Sequence, residues 1–192
     1  MTLLNISVIK SLLTEQIDIE LFDTIDSTND YLLTHKKNNC ICLAEHQTKG
    51  KGQLGRKWHS PHGENIYLSY RTTLQKPMNE IGELSIKIGE AVCDTLNKFG
   101  IDKGLTLKWP NDVLFEGKKL AGILIEVQPG ADNTSHVVFG VGLNVNLMSD
   151  ESNRISQPWT SMQLISGKYL DRNRVVASLI DQLIVFVRNF DH

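Results

Sequence analysis

The residues best suited to chemistry lie between His46 and Gly63. Those eighteen residues contain no carboxylate, yet they carry Lys49, Lys51, Arg56 and Lys57 interleaved with Gly50, Gly52 and Gly55. Glycines let backbone N–H groups approach an oxyanion closely, and the cations add charge-assisted hydrogen bonds. The pattern implies an anionic ligand, a phosphate or a carboxylate. Gly50 to Gly55 also spells the dinucleotide-binding fingerprint, but that motif works only where a strand turns directly into a helix. Here His59-Ser60-Pro61-His62-Gly63 follows, a poor helix start. The NTPase phosphate loop is excluded as well, because Gly55-Arg56-Lys57 lacks the hydroxyl that holds magnesium. A solvated basic loop is the bland alternative.

Other polar clusters weaken that alternative. Lys108-Trp109-Pro110-Asn111-Asp112 places an aromatic, a rigid turn and a carboxylate at a strand end. Lys118-Lys119-Leu120-Ala121-Gly122 opens another strand, and Gly140-Val141-Gly142-Leu143-Asn144 ends an apolar one with an amide. Glycine inside a strand marks a bulge or a close approach. Together these residues suggest a sheet face kept clear of side chains so that a flat ligand can lie on it. His46, His59 and His62 come with no carboxylate or cysteine inside the 46–63 loop to support them, so no metal site is expected.

The elements that must position these residues follow from periodicity. Apolar residues between Leu3 and Leu13 share a helical face, and Ile17, Ile19 and Leu21 alternate as in a half-buried strand. Ser27-Thr28-Asn29-Asp30 has capping-box spacing and predicts a helix start. Strands are expected at 40–45, 66–70, 105–109, 113–115, 120–127 and 136–143, and a loop at 147–160. A helix is expected from about Glu80 to Phe99 on Ile81, Leu84, Ile88, Val92, Leu96 and Phe99, stopped by Gly100. Asp171 caps a last helix with Val175, Leu179, Leu183, Val187 and Phe190 inward. Short links between successive strands favour antiparallel pairing, and the order of elements indicates an α+β fold: a mostly antiparallel or mixed sheet with helices packed on it.

Composition bounds the rest. The 192 residues suit one domain, and 20 basic against 22 acidic residues give a net charge of −2. Neither a nucleic-acid binder nor a membrane-surface protein is expected from that balance. Three cysteines and no signal-peptide pattern point to the cytoplasm. Cys40 and Cys42 would share a strand face as ordinary buried residues.

Taken in order, these motifs resemble the catalytic domain of biotin–protein ligases. The resemblance rests on Ser27-Thr28-Asn29, the Gln47 and Gly50–Trp58 loop, Lys108–Asp112, Lys119–Ile123 and Gly140–Asn144. It covers about residues 17–190, within one catalytic domain spanning 1–192. It implies a class II aminoacyl-tRNA synthetase-like fold and a two-step reaction. Biotin's carboxylate would attack the α-phosphate of ATP, with Mg²⁺, and a biotin carboxyl carrier protein would then receive the biotinyl group on a lysine. By motif matching, the resemblance assigns biotin to Ser27, Thr28, Asn29, Gln47, Lys51, Gly52, Gln53, Lys119 and Gly122. It assigns ATP and the adenylate to Arg56, Trp58, Asn111, Lys119, Asn144 and Trp159, and catalysis to Lys119, Arg56 and Asp112. Biotin and ATP enter as substrates, and no tightly bound cofactor is implied.

Two departures from the family pattern stand out. The family loop usually has arginines where this chain has Lys51 and Gln53, so weaker retention of the adenylate is expected. Only about twenty residues precede the matching region, and the chain stops after its last amphipathic helix. Repressor function and a C-terminal β-barrel are therefore not expected. The rival readings are a lipoate or octanoate ligase or transferase of the same superfamily and a non-catalytic biotin sensor. Homodimer pairing through an edge strand is left open.

Overall fold

The computed structural model describes residues 2–35, 37–80, 83–150 and 154–191. A seven-stranded sheet organises them: β1 (Asp18–Ile25), β2 (Cys40–Gln47), β3 (Ile66–Leu74), β4 (Leu105–Lys108), β5 (Asp112–Phe115), β6 (Lys118–Pro129) and β7 (Ser135–Leu143). Their spatial order is β1-β2-β3-β7-β6-β5-β4. Every neighbouring pair is antiparallel except β1 with β2, which run parallel through an intervening helix. The sheet is therefore mixed and the class α+β, as the short links implied.

The helices are α1 (Ile6–Leu12), α2 (Thr28–Thr34), α3 (Leu84–Lys98), α4 (Met162–Ser166) and α5 (Arg172–Asp191). Alternation along the strands sends Ile41, Leu43, Ile66, Leu68, Tyr70, Ile123, Val137, Phe139 and Val141 to one face, where they form the main core with α3 and α5. Leu84, Ile88, Val92 and Leu96 recur at helical spacing and are all buried there. From α5, Val175, Leu179 and Leu183 are buried, with Val187 and Phe190 packed at the margin. The opposite face carries α2 over a smaller cluster of Leu32, Cys40, Cys42 and Val138. Burial there pushes the Cys40 thiol to about 11 and Cys42 higher still, so both are inert packing residues at neutral pH.

Two boundaries differ from the periodic reading. α1 starts at Ile6 rather than Leu3, because the Leu4 N–H donates to Glu45 Oε1 at 2.5 Å and Asn5 supplies the cap. α3 starts at Leu84, preceded by a 3₁₀ turn at Met78–Glu80, and Ile81 lies outside the described residues. Ser27 caps α2 as expected, accepting from the Asp30 N–H at 3.4 Å. The Asp30 carboxylate does not complete a capping box; it pairs with Lys51 Nζ at 2.6 Å.

One buried polar centre ties the chain ends to the sheet. Arg172, 1% exposed, meets Glu45 Oε2 at 2.6 Å and donates to the carbonyls of Asn65 and Thr2. A buried pair of this kind is held by its additional hydrogen bonds as much as by its charges.

Candidate functional site

A cavity of about 280 Å³ opens on the α2 face of the sheet, between the start of α2, the 46–63 loop and the segment ending at Trp159. Its floor follows from strand register. Gly142 of β7 lies opposite Tyr67 on one side and Gly122 of β6 on the other, and Gly122 lies opposite Asp112 of β5. Two glycines side by side in adjacent strands leave a shallow trough where other residues would project. The trough holds the Trp58 indole: a Cβ added at Gly122 would sit 2.8 Å from Trp58 Cζ3, and one at Gly142 would sit 2.7 Å from Cζ2. The expected cleared face is present, and a side chain of the loop lies across it. Trp58 Nε1 is buried there without a hydrogen-bond partner.

Lys119 stands beside this trough. Its ammonium lies 2.7 Å from Asp112 Oδ1 and 5.3 Å from the centre of the Trp58 ring. Only 12% of the Lys119 side chain and 13% of Asp112 are exposed, so the pair is poorly screened by water. The approach is an ion pair without hydrogen-bond angles, which leaves Asp112 Oδ1 with unspent acceptor capacity. The segment bearing Trp159 is stitched to the same strand: Lys119 N–H donates to the Pro158 carbonyl, and Thr160 N–H returns to the Lys119 carbonyl. That parallel bridge brings Trp159 to the cavity wall from a stretch expected to be plain loop.

The glycine loop is a narrow ribbon, with Lys51 and Lys57 bridged and Gly52 N–H donating to the Arg56 carbonyl at 2.7 Å. Its tip holds Leu54, 93% exposed, at a φ of 56°. Its base is fixed by Gln47, whose Oε1 accepts from both Thr28 N–H and Thr28 Oγ1, at 2.9 and 3.1 Å. Gln47 Nε2 donates to Ser60 Oγ at 3.2 Å.

The biotin/lipoate A/B protein ligase family matches residues 21–144, the span that contains the α2 start, the loop, Lys119 and both trough glycines. The chain belongs to that family. It is 39% identical over 177 residues to the bifunctional ligase/repressor BirA of Escherichia coli, covering 90% of this chain and 54% of that protein. It is 38% identical over 166 residues to the biotin–[acetyl-CoA-carboxylase] ligase of Mycobacterium tuberculosis, covering 82% and 59%. The chain thus spans about half the length of the curated relatives it matches. Among solved structures, the biotin protein ligase of Aquifex aeolicus in complex with biotin and ATP superposes with a TM-score of 0.75 at 29% identity, covering 91% of this chain and 72% of that one.

All of the residues assigned from the family resemblance line one cavity: Ser27, Thr28, Asn29, Gln47, Lys51, Gly52, Gln53, Arg56, Trp58, Asn111, Asp112, Lys119, Gly122, Asn144 and Trp159. Their side chains are not all turned inward. Lys51 is committed to Asp30, which raises the pKa of its ammonium. Arg56 is exposed and donates through Nε to the Gln53 carbonyl of its own loop, rather than joining Lys119. Asn111 donates to the Ile123 carbonyl at 2.8 Å, which makes it a clamp between the Pro110 turn and β6. Asn144 likewise braces the Trp159 segment, donating to the Thr160 carbonyl at 3.0 Å.

Sequence reasoning missed His59, Tyr67 and the 154–157 segment, all of which line the cavity. It also missed Ser69 and Glu126 behind it. Their signal was faint: a hydroxyl within the apolar run of β3 and a carboxylate within that of β6. Among the described residues no group of three His, Cys, Asp or Glu side chains gathers to hold a metal. A magnesium ion brought by a nucleotide would need little from the protein, because it keeps most ligands as water and phosphate oxygens. Asp112 is a carboxylate at the site with capacity to spare.

Proposed function

We propose that the chain activates biotin with ATP and transfers the biotinyl group to a lysine of a biotin carboxyl carrier protein. A carboxylate oxygen of biotin attacks the α-phosphorus of ATP, and pyrophosphate leaves with the bond electrons. The lysine amine of the acceptor then attacks the acyl carbon of biotinyl-5′-AMP. An amide forms, AMP departs, and the amine gives up a proton.

The observation that carries this reading is the Lys119–Asp112 pair beside a glycine trough roofed by an indole. Two anions must meet for the first step, and their repulsion is the main electrostatic obstacle. Lys119 supplies positive potential in a poorly hydrated place, where such charge acts most strongly. Asp112 holds that ammonium in position and has capacity to meet magnesium on the nucleotide. The cavity beside that filled trough has room for a bicyclic ligand, with Ser27, Thr28, Asn29 and Gln47 lining its polar end. Trp58 and the Gly50–Gly55 ribbon cover the chain and the phosphate, which keeps the mixed anhydride from water. Trp159 forms a wall for adenine, and Arg56 and Asn144 serve the nucleotide side. No nucleophilic side chain is required, consistent with the buried cysteines.

Incubating a purified carrier domain with the protein, biotin and ATP tests the proposal by mass spectrometry. A gain of one biotinyl group, lost in Lys119→Ala, is expected. Equal labelling with lipoate, or no labelling together with no pyrophosphate release, overturns it.

A further inference from the structure

The polar end of the cavity has a hydrogen-bond order that begins outside it. Asn29 lines the cavity and is 4% exposed, and both ends of its amide are spoken for. Asn29 Nδ2 donates to Glu126 Oε2 at 2.9 Å, and Asn29 Oδ1 accepts from Ser69 Oγ at 2.5 Å. Ser69 is fully buried, and its hydroxyl also lies 2.7 Å from Thr28 Oγ1. Neither Ser69 nor Glu126 lines the cavity. Register explains how they reach Asn29. Ser69 faces Gly140 across β3 and β7, and a Cβ at Gly140 would collide with Asn29 Oδ1.

Proton counting gives this arrangement a direction. An ionised carboxylate can only accept, so Glu126 admits only the nitrogen end of the Asn29 amide. The oxygen end then faces Ser69, whose single proton it takes in that arrangement. Gln47 Oε1 already receives two donors from Thr28, so the amide of Gln47 is fixed as well, with one N–H on Ser60 Oγ. Each NH₂ group retains a second hydrogen beyond the bonds named. The wall therefore meets its ligand with amide N–H donors of set orientation, a match for a carbonyl oxygen.

We propose that Glu126 and Ser69 are positioning residues that lock the Asn29 amide and so set how the pocket reads the ureido group of biotin. This rests on the biotin-ligase reading above. Replacing Glu126 by glutamine keeps its size but lets it donate, so Asn29 is free to flip and present oxygen where it had presented nitrogen. A buried network loses selectivity when a member can reverse.

The test measures pyrophosphate release by the full chain with ATP and either biotin or 2-iminobiotin, in which the ureido oxygen is replaced by nitrogen. In Glu126→Gln the KM for biotin is expected to rise about tenfold, the scale of one buried hydrogen bond, with the KM for ATP held within about twofold. The ratio of kcat/KM for biotin over 2-iminobiotin should fall by a similar factor. Ser69→Ala should behave alike, and Ser69→Thr, which keeps the hydroxyl, should restore the ratio. The Ser69 pair reads the network from its other end, so misfolding of one variant leaves the result legible. An unchanged ratio in folded Glu126→Gln or Ser69→Ala overturns the inference, as does an equal rise in both KM values. Absence of biotin-dependent release by the unsubstituted protein overturns the parent reading instead.

Discussion

The two faces of the central sheet are built from alternate residues of the same strands, yet they serve opposite ends. Toward α3 and α5, β3, β6 and β7 present Ile66, Leu68, Tyr70, Ile123, Phe139 and Val141, which pack into the main core. Toward α2 and the glycine loop, the same strands present Ser69, Gly122, Glu126, Gly140 and Gly142. The first face is closed by helices that cannot leave without losing the core. The second is closed only in part by α2, and elsewhere by one indole on a ribbon of glycines. A cover with few buried contacts is the part of a protein that opens at low cost. Stability and chemistry are thus separated by one residue of register.

Substitutions can break that separation. The largest effect is expected at Lys119: Lys119→Ala should lower the rate of biotin-dependent pyrophosphate release by about 10²–10³, the scale of one electrostatic contact to a transition state. Its thermal midpoint should fall less than that of Arg172→Ala, because the Lys119 and Asp112 side chains keep 12% and 13% exposure whereas Arg172 and Glu45 keep 0% and 4%. Arg172→Ala probes the other side of the comparison. It strands Glu45 without its partner and should cost about 3–5 kcal/mol in urea unfolding, the range for breaking a buried pair. Biotin and ATP KM values of the protein that remains folded should hold.

Gly142→Ala places a methyl within 2.7 Å of Trp58 Cζ2 and should lift the indole from the trough. A KM for biotin raised by about an order of magnitude is expected, since displacements near 1 Å cost that much or more. Quenching of Trp58 fluorescence by iodide would report the lifted ring. Gln53→Arg sharpens the comparison in the opposite sense. An added charge-assisted hydrogen bond is worth about 1.5–3 kcal/mol. Release of biotinyl-AMP, followed after rapid gel filtration, should slow by about tenfold or more. Equal release rates would show that Gln53 is not what governs retention.

The smallest effect concerns pH. Burial outweighs Asp150 and lowers the pKa of His59, a cavity residue. The folded protein therefore binds this proton less readily than the unfolded chain, which titrates near the ordinary histidine value. The stability His59 contributes is present above that value and is lost as pH falls toward the folded pKa. Thermal midpoints should decline on acidification from neutral pH, and less steeply in His59→Gln.

Much of the site was legible because its motifs are local. The Ser27 cap, the carboxylate-free glycine run and the Lys119-to-Gly122 step each lie within one element or loop, where residue type and spacing act over a few positions. One local reading failed because its partner is remote in the chain. Asp30 has the spacing of a capping-box residue, but a cation 21 positions away competes for it and wins. Arg56 carries the charge expected of a nucleotide contact, while its guanidinium is held by its own loop. Asn111 and Asn144 have the right chemistry for ligands and line the cavity, and each also donates through Nδ2 to a carbonyl, of β6 and of the Trp159 segment, a bracing role that only the fold reveals.

Periodicity and caps, read from the amino acids alone, determined the α+β class, all seven strands, the α2 start and a cation-rich glycine loop, because those signals arise between residues close in the chain. Only the tertiary structure decided that Gly122 and Gly142 lie side by side, that Lys119 is answered by Asp112, and that Glu126 reaches Asn29 across 97 positions. Strand order and register depend on which pairing buries the most apolar surface at once, a property of the whole sheet that no window of sequence contains.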